Sequence, residues 1–199
     1  MDIERRVFAV DGLTVETREG KPPVIRGHAA VFNQLSEDLG GFREQIAAGA
    51  FADAIEKDDV RALFNHDPNF ILGRNMAKTL RLKEDARGLA IEIDAPETPT
   101  IRDLVLAPIA RGDVSQMSFG FSPRPGGQDW AKDDEGRTIR TLKAVRLFDV
   151  SPVVFPAYPQ TDVAMRELRA WQATQTQTQT PATAESINLL RALALNAGL

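Results

Sequence analysis

The sequence predicts a mainly β fold with peripheral helices (α+β), built as an antiparallel β-barrel or sandwich. Three observations carry that prediction. Short runs of alternating apolar and polar residues recur between Gly, Pro and Asp punctuation through residue 160 or so. Helical periodicity is confined to a few short stretches among and after them. Strands and helices do not alternate regularly, as a parallel α/β sheet requires. At 199 residues the chain is long enough for one compact domain with its own core.

In order, RRVFAVDGLTVE alternates and turns at Asp11-Gly12, and PPVIRGHAAVFN is a second run that ends at the turn-prone Asn33. After the flexible Gly40-Gly41, GAFADAIEK over 49–57 reads as a short helix. VRALFNH is another strand, and KTLRLKEDARGLAIEID is a hairpin turning near Asp85–Gly88. In TPTIRDLVLAPIARGD, the apolar residues Ile101, Leu104, Val105 and Ile109 fall on one helical face, stopped by Gly112. Pro108 is expected to kink that helix or end it early. SQMSFGFSPRPG, a long hairpin through DDEGRTIRTLKAV, and LFDVSPVVFPAY complete the β-rich part.

Composition changes near residue 160. The expected organisation is one domain over 1–160, a short helix over 161–172, a polar Gln/Thr linker over 173–183 and a C-terminal helix over 184–199. The stretch WQATQTQTQTPATAE buries too little apolar surface to fold alone, whereas ESINLLRALALNAGL has Leu and Ala at helical spacing.

Composition also narrows the chemistry. With no cysteine, disulfide frameworks, thiolate zinc sites and a cysteine nucleophile are excluded together. Two histidines, His28 and His66, argue against a histidine-rich metal site, and no cofactor or metal is expected. A net charge of −4 offers no clustered basic surface for nucleic acid. No apolar run approaches the roughly 20 residues of a membrane helix. The start, MDIERRVFAV, lacks a continuous apolar segment of the secretory kind, so a cytosolic or particle-enclosed protein is expected.

Three residues could carry chemistry. His66, in FNHDP, lies where a strand meets a turn marked by Asp67-Pro68, and it is the chain's candidate general base. Ser118, in QMSFGF, sits in an apolar strand and is followed by a glycine that admits close approach. Asp149 interrupts the apolar run RLFDVSPVVF, where an acid either faces solvent or serves a partner such as a histidine. On residue types alone, a turn-capping histidine and a structural serine stay open. Ser115 and Ser151 are weaker nucleophile candidates: the first lies nearer the turn after Gly112-Asp113, and the second precedes a proline. No G-x-S-x-G elbow is present, which disfavours an α/β-hydrolase.

GHAAVFN, AAGAFADAI, LFNHDPNFILGR, GLAIEID, GDVSQMSFGF and LFDVSPVVFPAYPQTDV occur in this order over about residues 24–160. In this series the chain resembles the HK97-type phage prohead protease family, whose fold is related to the herpesvirus assembly proteases (assemblins). The resemblance implies an assemblin-like antiparallel barrel and a serine endopeptidase that cleaves scaffold or major capsid protein segments within the assembling prohead, in the bacterial host cytoplasm. It implies those proteins as partners and cleavage of the protease itself. It also raises a homodimer, by analogy with assemblins, and offers a non-catalytic assembly module of the same fold as the alternative. Carried over by position, His66 is the base, Ser118 the nucleophile and Asp149 the third member, where the family more often has Glu. Assemblins use a second histidine there, but His28 in GHAAVFN does not correspond to it and reads as structural. Arg74, in ILGR, is a candidate aid to the oxyanion hole or a surface arginine.

Overall fold

The computed structural model describes residues 3–9, 12–155 and 162–178 of the chain. It divides into two compact units, Met1–Val163 and Ala164–Leu199. In the first unit the chain runs through β1 (Glu4–Ala9), β2 (Thr14–Arg18), β3 (Lys21–Val31), β4 (Arg43–Ile46), α1 (Ala52–Lys57) and β5 (Arg61–Phe64). It continues through β6 (Asp67–Arg74), the hairpin β7 (Leu80–Glu84) and β8 (Gly88–Asp94), and a helical segment. That segment is α2 (Pro99–Ile101), a π turn (Arg102–Leu106) and α3 (Ala107–Arg111). After it come β9 (Gln116–Pro123), the hairpin β10 (Gln128–Lys132) and β11 (Thr138–Leu142), and β12 (Val145–Val153).

The strands form three sheets, in the orders β1-β9-β12-β5-β6, β10-β11-β4 and β2-β3-β8-β7. The mainly β character with few helices is therefore as the sequence predicts. Closure into a barrel is not observed: among the described residues each sheet keeps two edge strands and none closes on itself. Nor is the pairing purely antiparallel, because β12 runs parallel to β5 and β11 parallel to β4. Both parallel partners are far apart in sequence, so local periodicity carries no trace of them. Among the described residues the strands on either side of Asp11-Gly12 do not pair with each other: β1 pairs with β9, and β2 with β3. Two strands have no counterpart in the sequence reading. REQI (β4) is short, and DPNFILGR (β6) lacks clean alternation. Pro68 belongs to β6, an edge strand, the place in a sheet where proline is tolerated.

One cluster fills the space among the sheets. It includes Ile25, Leu89, Ile91 and Ile93 of the four-stranded sheet, Ile46 and Leu142 of the three-stranded sheet, and Met117, Phe119, Phe121, Leu147 and Val150 of the five-stranded sheet. Phe119 is at its centre, edge-on to Phe51 at 5.5 Å and 4.9 Å from Phe121 between ring centres. Truncating such a ring costs about 3–5 kcal/mol.

A second joint is ionic. Arg140, fully buried, donates to Glu4 Oε1 and Oε2 at 2.9 and 2.8 Å and to Glu44 Oε2 at 2.9 Å. Arg6 donates to Glu44 Oε1 and Glu4 Oε2, each at 2.8 Å. Two guanidinium groups and two carboxylates thus neutralise one another and tie β1 of the five-stranded sheet to β4 and β11. Burying charge is tolerable only with this degree of pairing.

The helical segment shows how Pro108 is accommodated. Proline has no N–H and its ring crowds the carbonyl four residues back. The chain absorbs this by widening the preceding turn, where Ala107 N–H bonds Arg102 O five residues back. The extra residue rotates the face, so Leu106 is buried and Leu104, expected inside, is 54% exposed. Gly112, at φ +85°, ends the helix with its N–H on Ile109 O.

The last described element, α4, spans Asp162–Thr178, and all but its first two residues belong to the second unit. The helix expected over 161–172 therefore continues into the Gln/Thr stretch read as linker. No Gly or Pro occurs there before Pro181, and Gln and Ala are good helix formers. The expected C-terminal helix over 184–199 lies outside the described residues. Among the described residues no helix is long and apolar enough to cross a membrane.

Candidate active site

β9 builds the floor of the site. Along QMSFGF, Met117, Phe119 and Phe121 enter the core, so Ser118 and Gly120 lie on the opposite face by strand alternation. The three apolar residues therefore pack the interior rather than line a substrate pocket. Ser118 itself is fully buried.

β12 supplies the acid, and a bulge decides which way it points. Leu147 pairs with Phe121 and Asp149 with Gly120, so the register shifts between them. Without the extra residue, Asp149 would share Leu147's core-facing side. The bulge instead puts Asp149 and Ser151 on the face of Ser118, and Ser151 stands directly opposite it. Two features hold this stretch. Leu147 N–H donates to Asp58 Oδ2 at 2.9 Å. Arg124 in turn grips Asp58 with its NH2 group, 2.9 Å from each carboxylate oxygen.

His66 arrives on the β5–β6 turn. Phe64 and Asp67 pair across a two-residue connection, Asn65-His66, and both connecting residues have positive φ, +54° and +59°. That is the type I′ hairpin signature, in which asparagine is favoured at the first position. The turn is thus one step earlier than Asp67-Pro68 suggests. Asn65 straps it to β12: its N–H donates to Pro152 O at 3.0 Å, and its Oδ1 accepts from Val154 N–H at 2.9 Å.

The structure brings the three sequence-predicted residues together. His66 Nδ1 lies 2.6 Å from Asp149 Oδ1, and His66 Nε2 lies 2.7 Å from Ser118 Oγ. A carboxylate can only accept, so Nδ1 carries the proton and Nε2 presents its lone pair to the Ser118 hydroxyl. The His66 and Asp149 side chains are only 7% and 10% exposed, so water competes little for these bonds. A hydroxyl aimed at an imidazole nitrogen, whose far side is held by a carboxylate, can lose its proton as it attacks a carbonyl.

Other residues fall outside this trio or were missed. His28 bonds Asp85 through Nε2 at 2.9 Å, in the four-stranded sheet. Arg74 is committed to Asp59, with Nε and NH2 at 2.7 and 2.6 Å from its carboxylate oxygens. Ser151, set aside in the sequence because it precedes a proline, donates from Oγ to Asp149 Oδ1 at 2.7 Å. Gly120 leaves the space that Asp149 fills, since a Cβ there would collide with Asp149 Oδ2. The motif S-F-G-F hints at that glycine; nothing local marks Asn65, Asp58 or Ser151. Among the described residues no group of three His, Asp or Glu side chains is arranged to hold a metal ion.

The prohead protease of Enterobacteria phage HK97 is 31% identical over 156 residues, covering 74% of this chain and 62% of that protein. The chain thus spans less than two thirds of this relative. Among solved structures, the bacteriophage T4 capsid assembly protease, gp21, matches with a TM-score of 0.48 and 14% identity, over 78% of this chain and 98% of that one. The profile of the caudovirus prohead serine proteases matches residues 11–177, and the chain belongs to that family.

Proposed function

We propose that this chain is a serine endopeptidase of capsid maturation, with Ser118 as nucleophile, His66 as general base and Asp149 as the group that orients and stabilises His66. One observation carries the reading: the His66 ring spans Ser118 Oγ and Asp149 Oδ1 with two short hydrogen bonds. Ser118 Oγ bonds to the scissile carbonyl carbon while its proton passes to His66 Nε2. The C–N bond then breaks, and His66 returns that proton to the leaving amine. Water attacks the acyl-enzyme, giving one proton to His66, and Ser118 regains its hydroxyl as the acid product leaves. Asp149 stays ionised throughout and stabilises the imidazolium. Because Ser118 is buried in this state, productive binding must displace the atoms that cover Oγ.

The substrates in this reading are scaffold and major capsid protein segments inside the prohead, in the host cytoplasm, and the protease itself. Family membership and the HK97 relative's name support it. Self-cleavage in this reading falls in the polar Gln/Thr stretch over 173–183, whose low-complexity composition suits proteolysis. The test is coexpression with the major capsid protein on which this reading has the chain act. Truncated capsid protein should appear, and should vanish with Ser118→Ala or His66→Ala. Truncation that persists in both variants rules out this mechanism. An unchanged C-terminus in active protein and in Ser118→Ala removes self-cleavage there.

A further inference from the structure

We propose that Ser151 is a positioning residue, which fixes the Asp149 carboxylate so that His66 keeps its proton on Nδ1 and its lone pair toward Ser118. The inference rests on the reading of His66, Ser118 and Asp149 given above.

Four observations place Ser151 in this role. Its Oγ and His66 Nδ1 converge on one atom, Asp149 Oδ1, at 2.7 and 2.6 Å. It is fully buried, so its hydroxyl has no water to turn to. It lies directly opposite Ser118 in the β12–β9 ladder, on the face reached only through the bulge before Asp149. It is followed by Pro152, which restricts residue 151 to extended backbone and so limits where Oγ can go.

The hydroxyl is a donor here, because the ionised carboxylate can only accept. Its proton is committed to Asp149, whereas that of Ser118 is aimed at an imidazole nitrogen. The two serines therefore do different work, although they face each other across one ladder. Without Ser151, Oδ1 keeps a single donor and the carboxylate is freer to rotate about its Cβ–Cγ bond. A carboxylate with fewer donors also draws the Nδ1 proton more strongly.

The test uses the full-length chain and a fluorophosphonate probe, which reports nucleophile activation without a known substrate. Wild type should be labelled at Ser118, as located by mass spectrometry, and Ser118→Ala should not be labelled. Ser151→Ala should lower the limiting labelling rate about 10- to 100-fold, as loss of a hydrogen bond to a charged group implies. The apparent probe affinity should stay the same. Ser151→Thr, which keeps the hydroxyl, should recover most of the rate, and Ser151→Val, its near-isostere without one, should not. In the resting protein, the His66 Nδ1–H proton resonance should move downfield in Ser151→Ala and Ser151→Val and return in Ser151→Thr.

Equal labelling rates for the Thr and Val variants, with an unmoved Nδ1 proton, overturn the positioning role, even if Ser151→Ala folds poorly. Labelling of Ser151 in place of Ser118 overturns it too. Wild type that is not labelled at Ser118, or His66→Ala that is labelled as fast, instead counts against the underlying reading. The proton resonance then still decides whether Ser151 holds Asp149.

Discussion

Asp149 stands opposite Gly120 in the β12–β9 ladder, and its carboxylate fills the space a side chain at Gly120 would occupy. The glycine is therefore a steric requirement of the acid. Gly120→Ala should displace the Asp149 carboxylate and lengthen its bond to His66. Overpacking of this kind costs about 1–3 kcal/mol. Urea unfolding should show that loss, and probe labelling of Ser118 should fall more steeply than stability does. Labelling at the wild-type rate would mean that the carboxylate has room to spare.

The bulge between Leu147 and Asp149 makes a second prediction, because Asp58 holds it from outside the ladder. Asp58→Ala leaves Leu147 N–H and the Arg124 guanidinium without their carboxylate. A buried group that loses its partner costs about 1–3 kcal/mol. The chain should lose stability of that order by urea unfolding, and the His66 Nδ1–H resonance should broaden as the bulge loosens. Asp58→Asn, which keeps one oxygen for Leu147 N–H, should lie between the two. A sharp, unshifted resonance in Asp58→Ala would show that the bulge holds itself.

These features mark where the sequence was readable. Ser118, His66 and Asp149 stand out in the sequence because a hydroxyl, an imidazole and a carboxylate fall within an ordered series of family motifs. Alternation in QMSFGF also shows that Ser118 departs from the apolar pattern. How Asp149 reaches the site was not readable, since period-two alternation assigns it the face of Leu147 and only pairing with β9 reveals the extra residue. The same limit hid the parallel pairs β12–β5 and β11–β4, and the ionic joint of Glu4, Arg6, Glu44 and Arg140. Each is set by partners distant in the chain. The turn at Asn65-His66 was misplaced by one step because Asp-Pro is the stronger local turn signal.

Asn65 acts on His66 through the backbone. It adopts φ +54° and bonds Pro152 of β12 and Val154 just beyond it. Asn65→Gly keeps the conformation but removes the bond to Val154, while Asn65→Ala loses both. The expected order of labelling rate and of melting temperature is wild type, then Gly, then Ala. The alanine variant should lose about 1–3 kcal/mol. If Gly proves as poor as Ala, the side-chain strap matters and the positive φ does not.

Arg140 is the hinge of the ionic joint, with both Glu4 and Glu44 on its guanidinium. Arg140→Met keeps the bulk and strips the charge, leaving two buried carboxylates to share Arg6. Breaking a buried pair in this way costs about 3–5 kcal/mol. Guanidinium chloride unfolding should report a loss in that range. Adding Glu4→Gln to Arg140→Met should recover part of it, since one unpaired charge is then gone. A double variant no more stable than the single one would show that the cost is lost packing, not uncompensated charge.

The His28–Asp85 pair gives a pH dependence apart from the site. The hydrogen bond with His28 is the main cause that pulls the Asp85 carboxyl down to about 2, helped by the Gly88 and Arg87 backbone N–H groups. A folded value below the ordinary carboxylate value means that the ionised form favours the native state. The contribution is therefore present above about pH 4 and is lost as pH falls toward 2. Carboxyl carbon NMR should show Asp85 titrating near pH 2 in the wild type. In His28→Ala the midpoint should rise while staying below the ordinary value, because the two backbone donors remain. The variant's stability should then be less sensitive to pH between 4 and 2 than that of wild type. An unchanged Asp85 midpoint in His28→Ala would assign the whole shift to the backbone of the β7–β8 turn.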